Sequence, residues 1–248
     1  MECLGLTLYQ VVTPEEWRAA RIALLAKEEA HNRAAAEIAA ERRALPMVPV
    51  TKDYTFQGPD GPVTLKDLFG TKSQLIIYHY MFHPSAEEAC HGCAFIVANL
   101  PDLRHLADKD TSIAIISRAP IQRITPWKEK NGWTVQWVSS YKTDFNYDYH
   151  VTLDEDIAPV EYNYKTKEEL IAAGQTGDFR EERPGLSVFK LEDGQVYHTY
   201  STYSRIDSLA STYTFLDLTP AGRQEGPFGP AEFKVPAEYE EENRKYGR

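Results

Sequence analysis

The sequence predicts an α/β protein, a central mixed sheet flanked by helices, on three observations. Gln74-Leu75-Ile76-Ile77-Tyr78-His79-Tyr80-Met81-Phe82 is a nearly continuous apolar and aromatic run, and Thr111-Ser112-Ile113-Ala114-Ile115-Ile116-Ser117 is a second, uncharged one. Runs of this kind suit strands buried on both faces. Helical patterns follow each of them, so the order β-α-β-α-β implies parallel strands joined by right-handed crossovers. Finally, alternation at Leu186-Ser187-Val188-Phe189-Lys190-Leu191, a turn at Glu192-Asp193-Gly194 and a return strand over residues 195–200 add an antiparallel hairpin.

In chain order, Thr13-Pro14-Glu15-Glu16 opens a long N-terminal helix over residues 13–44: an N-cap candidate, proline in the first turn, then early acids. At about 1.5 Å per residue it approaches ~45 Å. Trp17, Leu24, His31 and Ile38 recur every seven positions among Ala and charge, which suits a helix docked on its own domain, with a homodimer surface as the alternative. Leu45-Pro46 ends it. Residues 47–69 read as an extended segment with a turn at Gly58-Pro59-Asp60-Gly61. Residues 94–107 carry one helical pattern, residues 120–131 a helix closed by Gly132, and residues 134–138 a short strand. Residues 140–182, rich in Tyr, Asp, Asn and Lys, are too long for a bare loop and form an insertion, with a helix over residues 165–173. The organisation is thus a helical extension (1–46), the α/β domain (47–222) and a tail (223–248) that is draped or disordered.

The formal charge of −10 disfavours nucleic acid and anionic membrane surfaces as partners. No run reaches the ~20 apolar residues of a spanning helix. Met1-Glu2-Cys3-Leu4-Gly5-Leu6 has an acid where a secretory leader has basic residues, so the expected location is cytoplasmic. Three cysteines in 248 residues make no disulfide framework, and Cys3 reads as incidental.

The chemistry points to Cys90-His91-Gly92-Cys93. The pair follows a buried strand and starts a helix within a βαβ pattern, the setting of a thioredoxin-type dithiol. Free amides and the helix dipole stabilise a thiolate at the first cysteine. Cys90 is then the nucleophile and Cys93, one turn on, the resolving thiol. His91 and Gly92 tune the pair; Glu87 and Glu88 oppose thiolate formation. Two other readings stay open: inert buried cysteines, and a zinc or copper site. The latter lacks a second ligand pair at a familiar spacing, and His79 and His83 would lie ~13 Å apart along a strand unless the chain turns at Phe82.

The blocks Leu45-Pro46, Tyr78-His79-Tyr80-Met81-Phe82, Cys90-His91-Gly92-Cys93, Ser117-Arg118-Ala119-Pro120, Gly132-Trp133 and Trp137-Val138-Ser139-Ser140 occur in that order. Asp144-Phe145-Asn146-Tyr147-Asp148, Tyr197-His198-Thr199-Tyr200-Ser201-Thr202-Tyr203 and Leu216-Asp217-Leu218-Thr219-Pro220 continue the series. Together, from about Trp17 to Glu225, they resemble an uncharacterised thioredoxin-like family, a domain of unknown function found in bacteria and fungi. The resemblance implies a thioredoxin-like fold and no established substrate. Within the wider superfamily, Cys90 and Cys93 match the two active-site cysteines, and Pro184 takes the place of the cis-proline that precedes a strand beside the dithiol, with an ordinary trans proline ending a loop as the alternative. The chain departs from ordinary thioredoxins in having Ala89 where they place Trp, and in the insertion. Pro84 lies six positions before Cys90, so the Pro-x-x-x-Thr/Ser-x-x-Cys pattern of peroxiredoxins is not met.

His83 and His198 are candidates for proton transfer at the dithiol, with a structural role as the alternative for each. Arg118 stands at the carboxyl edge of the second buried strand, where open α/β sheets bind ligands; it suits an anionic substrate or a surface ion pair. The aromatics of residues 145–150 and 197–203 line a pocket or pack the insertion on the sheet. The expected function is a thiol-disulfide oxidoreductase or thiol-dependent reductase, acting on a disulfide-containing protein or a small oxidant without a cofactor. The alternatives are a non-catalytic dimerisation or partner-binding module and a copper or zinc carrier.

Overall fold

The computed structural model describes residues 10–177, 179–204 and 206–246, so Cys3 and the Met1 to Leu6 stretch lie outside the described residues. The chain divides into two compact units, Met1–Pro46 and Met47–Arg248. The first is built on α1 (Pro14–Arg43), capped as expected. The Thr13 hydroxyl accepts from the Glu16 amide, the Glu16 carboxylate accepts from the Thr13 amide, and Arg42 and Arg43 face the negative end of the dipole. α1 buries none of its residues.

The second unit begins with β1 (Val48–Pro49) and the hairpin β2 (Thr55–Gly58) and β3 (Gly61–Thr64), so the extended segment is a folded-back pair. Then come β4 (Gln74–His79), α2 (His91–Ala98), α3 (Leu103–Asp108), β5 (Thr111–Ser117), α4 (Ile121–Lys130) and β6 (Gln136–Ser139). The insertion carries α5 (Phe145–Asp148), β7 (Thr152–Leu153), β8 (Glu161–Tyr162), β9 (Lys165–Thr166), α6 (Lys167–Ala172) and β10 (Glu181–Glu182). It has its own small core of Val151, Leu153, Val160, Tyr162, Leu170 and Phe179, joined by Tyr203. The chain closes with β11 (Gly185–Glu192), β12 (Gln195–Thr202), α7 (Ser211–Leu216), a 3-10 turn at Gly229–Glu232 and α8 (Pro236–Tyr246).

The main sheet runs β1-β12-β11-β4-β5-β6-β2-β3. β4, β5 and β6 are parallel, whereas β11 is antiparallel to β4 and β12 to β11. The β12-β11-β4-β5 core, with α2 crossing from β4 to β5, makes the fold thioredoxin-like. Side chains alternate across a strand. Leu75 and Ile77 therefore join Leu68, Phe69, Phe145 and Phe189 on one face. Tyr78 and Tyr80 join Cys93, Ile115, Ile124 and Trp137 on the other. With both faces covered, the β4 run has no polar alternation.

Three expectations change. The helix over residues 94–107 is two helices. Pro101 cannot supply the amide that would continue α2, and Asn99 turns away, its Nδ2 donating to Phe95 O at 2.8 Å and its Oδ1 accepting from the Thr212 amide at 2.8 Å. The tail is an ordered cover: the Phe233 ring lies 4.3 Å from that of Phe95, and Val235 is buried in the α2 cluster. No cis peptide occurs among the described residues, so the Arg183–Pro184 bond is trans. Trans is the favoured isomer even before proline. Extended pairing on both sides also suits it, with the Arg183 amide on Val151 O at 2.8 Å and Gly185 paired to His79.

Candidate dithiol site

The chain leaves β4 at His79, runs out through Tyr80, Met81 and Phe82, and returns to start α2. Tyr80 donates its amide to Ile116 O at 2.9 Å, and Phe82 O accepts from the Ala119 amide at 2.7 Å, so this exit strap is held to the end of β5. The Cys90 amide donates to Met81 O at 3.2 Å. The Tyr80 hydroxyl donates to Cys90 O at 2.7 Å and accepts from Trp127 Nε1 at 3.2 Å. These contacts fix Cys90 as the N-cap of α2.

An N-cap side chain satisfies a free helix amide. Here that side chain is a sulfur: Cys90 Sγ accepts from the Cys93 amide at 3.3 Å. Hydrogen bonds from the Cys93 thiol and from the Cys93 and Gly92 amides outweigh partial burial and bring the Cys90 thiol down to about 7. Cys93 is 2% exposed. Burial, with the neighbouring Cys90 sulfur, holds its thiol well above the ordinary range, while the Tyr78 hydroxyl and the Met81 amide pull the other way. Both thiols are free. One sulfur is half-buried and easily ionised, the other buried and protonated, an asymmetry suited to attack by the first and resolution by the second.

Gly92 sits where the tail approaches. A Cβ there would lie 3.6 Å from the Ala231 amide nitrogen and 3.8 Å from both Cys90 Sγ and the Pro230 Cβ. The turn Gly229–Glu232 therefore walls one side of the dithiol. The His91 ring faces Trp127 at 6.3 Å. The approach loop is clamped from α4 by Arg123, whose guanidinium donates to the carbonyls of Pro84 at 2.9 Å, Ala86, and Glu87 at 3.1 Å, and stacks over Phe82.

The other expected residues are placed differently. Pairing of Gly185 with His79 sets Pro184 at the carboxyl end of β4, and Pro184 O accepts from Tyr162, a phenol that also senses Cys93. His83 is exposed and bonds Ser85 at 2.7 Å. Arg118 pairs with Glu182 at 2.9 Å and stacks on Tyr147 at 5.0 Å, with the Glu182 side chain only 6% exposed. Thr152 also donates to Glu182, at 2.9 Å. Arg118 is thus bound to the insertion, in a largely buried ion pair instead of a surface one. His198 packs edge-on against Tyr149 and at a tilt against Phe189 on the face opposite Cys93, so the structure does not bring it to the thiols. Its Nε2 reaches Ser201 at 2.8 Å, Ser201 reaches Ser187 at 2.8 Å, and Ser187 reaches His79 at 2.8 Å. His79 lies on that same far face, which parts it from the thiols as a metal ligand. No group of three or more His, Cys, Asp or Glu able to hold a metal occurs among the described residues.

Sequence reasoning missed Tyr78, Tyr80, Arg123, Trp127 and the tail. The strand alternation that sends Tyr78 and Tyr80 toward the α2 face was readable. The other three depend on contacts distant in sequence.

Fold and site define a thioredoxin-fold protein with a Cys-x-x-Cys pair capping its first sheet-crossing helix. The chain belongs to the family described as bacterial protein of unknown function (DUF899), which matches residues 6–243. No curated protein matches it. Among solved structures, it is similar to the peroxidoxin BcpB of Mycobacterium tuberculosis, at 16% identity over 68% of this chain and 91% of that one, TM-score 0.38. It is similar also to Xanthomonas campestris peroxiredoxin Q, at 12% identity over 66% and 93%, TM-score 0.42. A third is BsSco, of the Sco family of cytochrome c oxidase assembly proteins, at 16% identity over 67% and 92%, TM-score 0.35. No helix among the described residues is long and apolar enough to cross a membrane.

Proposed function

We propose that this protein is a thiol-disulfide oxidoreductase, or a thiol-dependent reductase of a small oxidant. Cys90 thiolate attacks a substrate sulfur, forming a mixed disulfide and expelling one thiolate. Cys93 then attacks Cys90, forming the intramolecular disulfide and releasing the second substrate thiol; a reductant restores the dithiol. With a small oxygen-donating oxidant, the Cys90 thiolate takes one oxygen to become a sulfenic acid while the reduced remainder of the oxidant leaves, and Cys93 then displaces water from that sulfur to form the disulfide. The observation that carries this reading is the Cys90 sulfur at a helix N-cap, 3.3 Å from the Cys93 amide, with Cys93 buried behind it.

The test is alkylation of Cys90 against pH, with mass spectrometry to assign the site. Half ionisation is expected at about pH 7. A free thiol with a pKa of about 8.5 is roughly 3% ionised there, but lower basicity also weakens the nucleophile, so a net gain of about threefold over free cysteine is expected at neutral pH. Oxidised dithiothreitol should join Cys90 to Cys93. Alkylation no faster than free cysteine, with no such disulfide, sinks the reading.

A further inference from the structure

A substrate reaching the dithiol meets the rim of backbone around it. Three segments form that rim, and each carries a proline, which has no amide to offer a partner. The first is Arg183-Pro184. Gly185 pairs antiparallel with His79, so the residues just before Gly185 run beside the strap that follows His79. In that strap Met81 holds both cysteines: its carbonyl accepts from the Cys90 amide at 3.2 Å and its amide donates to Cys93 Sγ at 3.5 Å. The Arg183 amide is taken by Val151 O at 2.8 Å, and Pro184 O accepts from the Tyr162 hydroxyl at 2.8 Å. The second segment is the turn at Pro230. The Ala231 amide nitrogen comes within 3.6 Å of a Cβ placed on Gly92, and it donates to Phe228 O at 3.2 Å. The third is the approach loop from Pro84. Its Pro84, Ala86 and Glu87 carbonyls accept from Arg123, and its Ala86 amide donates to His83 O at 3.1 Å.

An extended polypeptide docks by adding a strand, through hydrogen bonds to backbone groups that the host leaves unpaired. Around this dithiol the insertion, the tail turn and Arg123 already hold the backbone groups named above. We propose that the rim is a filter: the site takes low-molecular-weight oxidants, a small disulfide or a hydroperoxide, and turns away extended polypeptides. This rests on the oxidoreductase reading and narrows its substrate class. Both reactions balance on the two thiols. A small disulfide is reduced to two thiols as Cys90 and Cys93 join, their two protons passing to the released sulfurs. A hydroperoxide is reduced to an alcohol and water as the same disulfide forms, one oxygen passing through the Cys90 sulfenic acid. To seat a chain, the rim would first give up hydrogen bonds of its own, and groups left unpaired near a half-buried site are costly. A small oxidant asks for none of this.

The experiment uses the full chain with Cys3→Ser, reduced, and follows the Cys90–Cys93 disulfide by mass spectrometry after acid quenching. Two probes carry the same reactive bond: hydroxyethyl disulfide, and a mercaptoethanol disulfide on the central cysteine of a short unstructured peptide. Free dithiothreitol, which has no rim, sets the ratio of the two rates that chemistry alone gives. The protein should favour the small probe by about tenfold or more beyond that ratio, the factor expected if a bound chain displaces one of the rim's hydrogen bonds. Arg123→Ala with Tyr162→Phe frees two sides of the rim and should bring the ratio back toward that of dithiothreitol. Oxidation by hydrogen peroxide and by neither disulfide supports the filter with a hydroperoxide as the substrate. A parent with the dithiothreitol ratio overturns the filter and leaves the oxidoreductase reading standing. So does a selectivity that the double variant, folded, keeps in full; should that variant not fold, the parent's ratio decides. A parent that forms the disulfide with none of the three probes sinks the oxidoreductase reading, and this inference with it.

Discussion

At the scale of single residues, two buried polar arrangements carry predictions. Glu182 is pushed up by burial and held by Arg118, Thr152 and Asn146. Removing one partner of a buried pair strands the other, so Arg118→Met should cost about 3–5 kcal/mol, whereas Arg118→Met with Glu182→Met should recover most of it. Urea unfolding of the four proteins of this cycle checks it. His79 is neutral in the fold because burial brings it down to about 3, with the neighbouring His198 acting the same way. Between that value and the ordinary 6.5, the unfolded chain binds a proton that the folded one does not. Stability is therefore present above about pH 6.5 and falls as pH drops toward 3, at up to about 1.4 kcal/mol per pH unit from His79 alone. His198, also lowered by burial, adds to the same slope. His79→Gln should flatten the dependence, read from unfolding midpoints at pH 7 and pH 5.

At the scale of elements, the dithiol helix is held from three sides: by the strap after β4, by α4 through Trp127 and Arg123, and by the C-terminal turn. The turn packs Phe233 against Phe95 and Tyr213. Phe233→Ala should cost about 2 kcal/mol, below the 3–5 of a fully buried phenylalanine because this one is half-buried. It should also speed alkylation of Cys90 at fixed pH by loosening the wall beside Gly92. A lower thermal midpoint with unchanged alkylation would show that the turn stabilises α2 without screening the thiol. Arg123→Ala removes donors to three carbonyls and should make the loop over residues 84–89 exchange amide hydrogens faster, at a cost of about 1–3 kcal/mol. Mass-spectrometric exchange measures it.

At the scale of the whole molecule, the second unit is a sheet covered on both faces, and the two faces do different work. The α2 face gathers the thiols, the phenols Tyr78 and Tyr80, and the tail. The far face holds the aromatic cluster of Phe145, Tyr149 and Phe189 with the His79-Ser187-Ser201-His198 chain threaded through it. The insertion adds a third cluster at the carboxyl edge and reaches back to the sheet through Glu182 and Tyr162.

What the sequence alone determined is everything with a short-range physical signature. Apolar continuity marked β4 and β5, Glu192-Asp193-Gly194 marked the β11-β12 turn, Thr13 to Glu16 marked the start of α1, and Cys90 and Cys93 fell at a helix start after a buried strand. These follow from periodicity, capping and turn chemistry, which act over a few residues. Only the tertiary structure decided which distant residues meet. Glu182 took Arg118 from any substrate, the sheet put His198 out of reach of the thiols, and Phe233 and Val235 anchored a tail whose charge and prolines read as loose. Pro184 stayed trans between two extended pairings. Such outcomes depend on burial summed over many elements, and no local pattern records it. The dithiol was therefore legible as a motif, but its asymmetry was not. The half-buried Cys90 and the buried Cys93, with the Met81 amide at its sulfur, exist only once α2 is seated on β4.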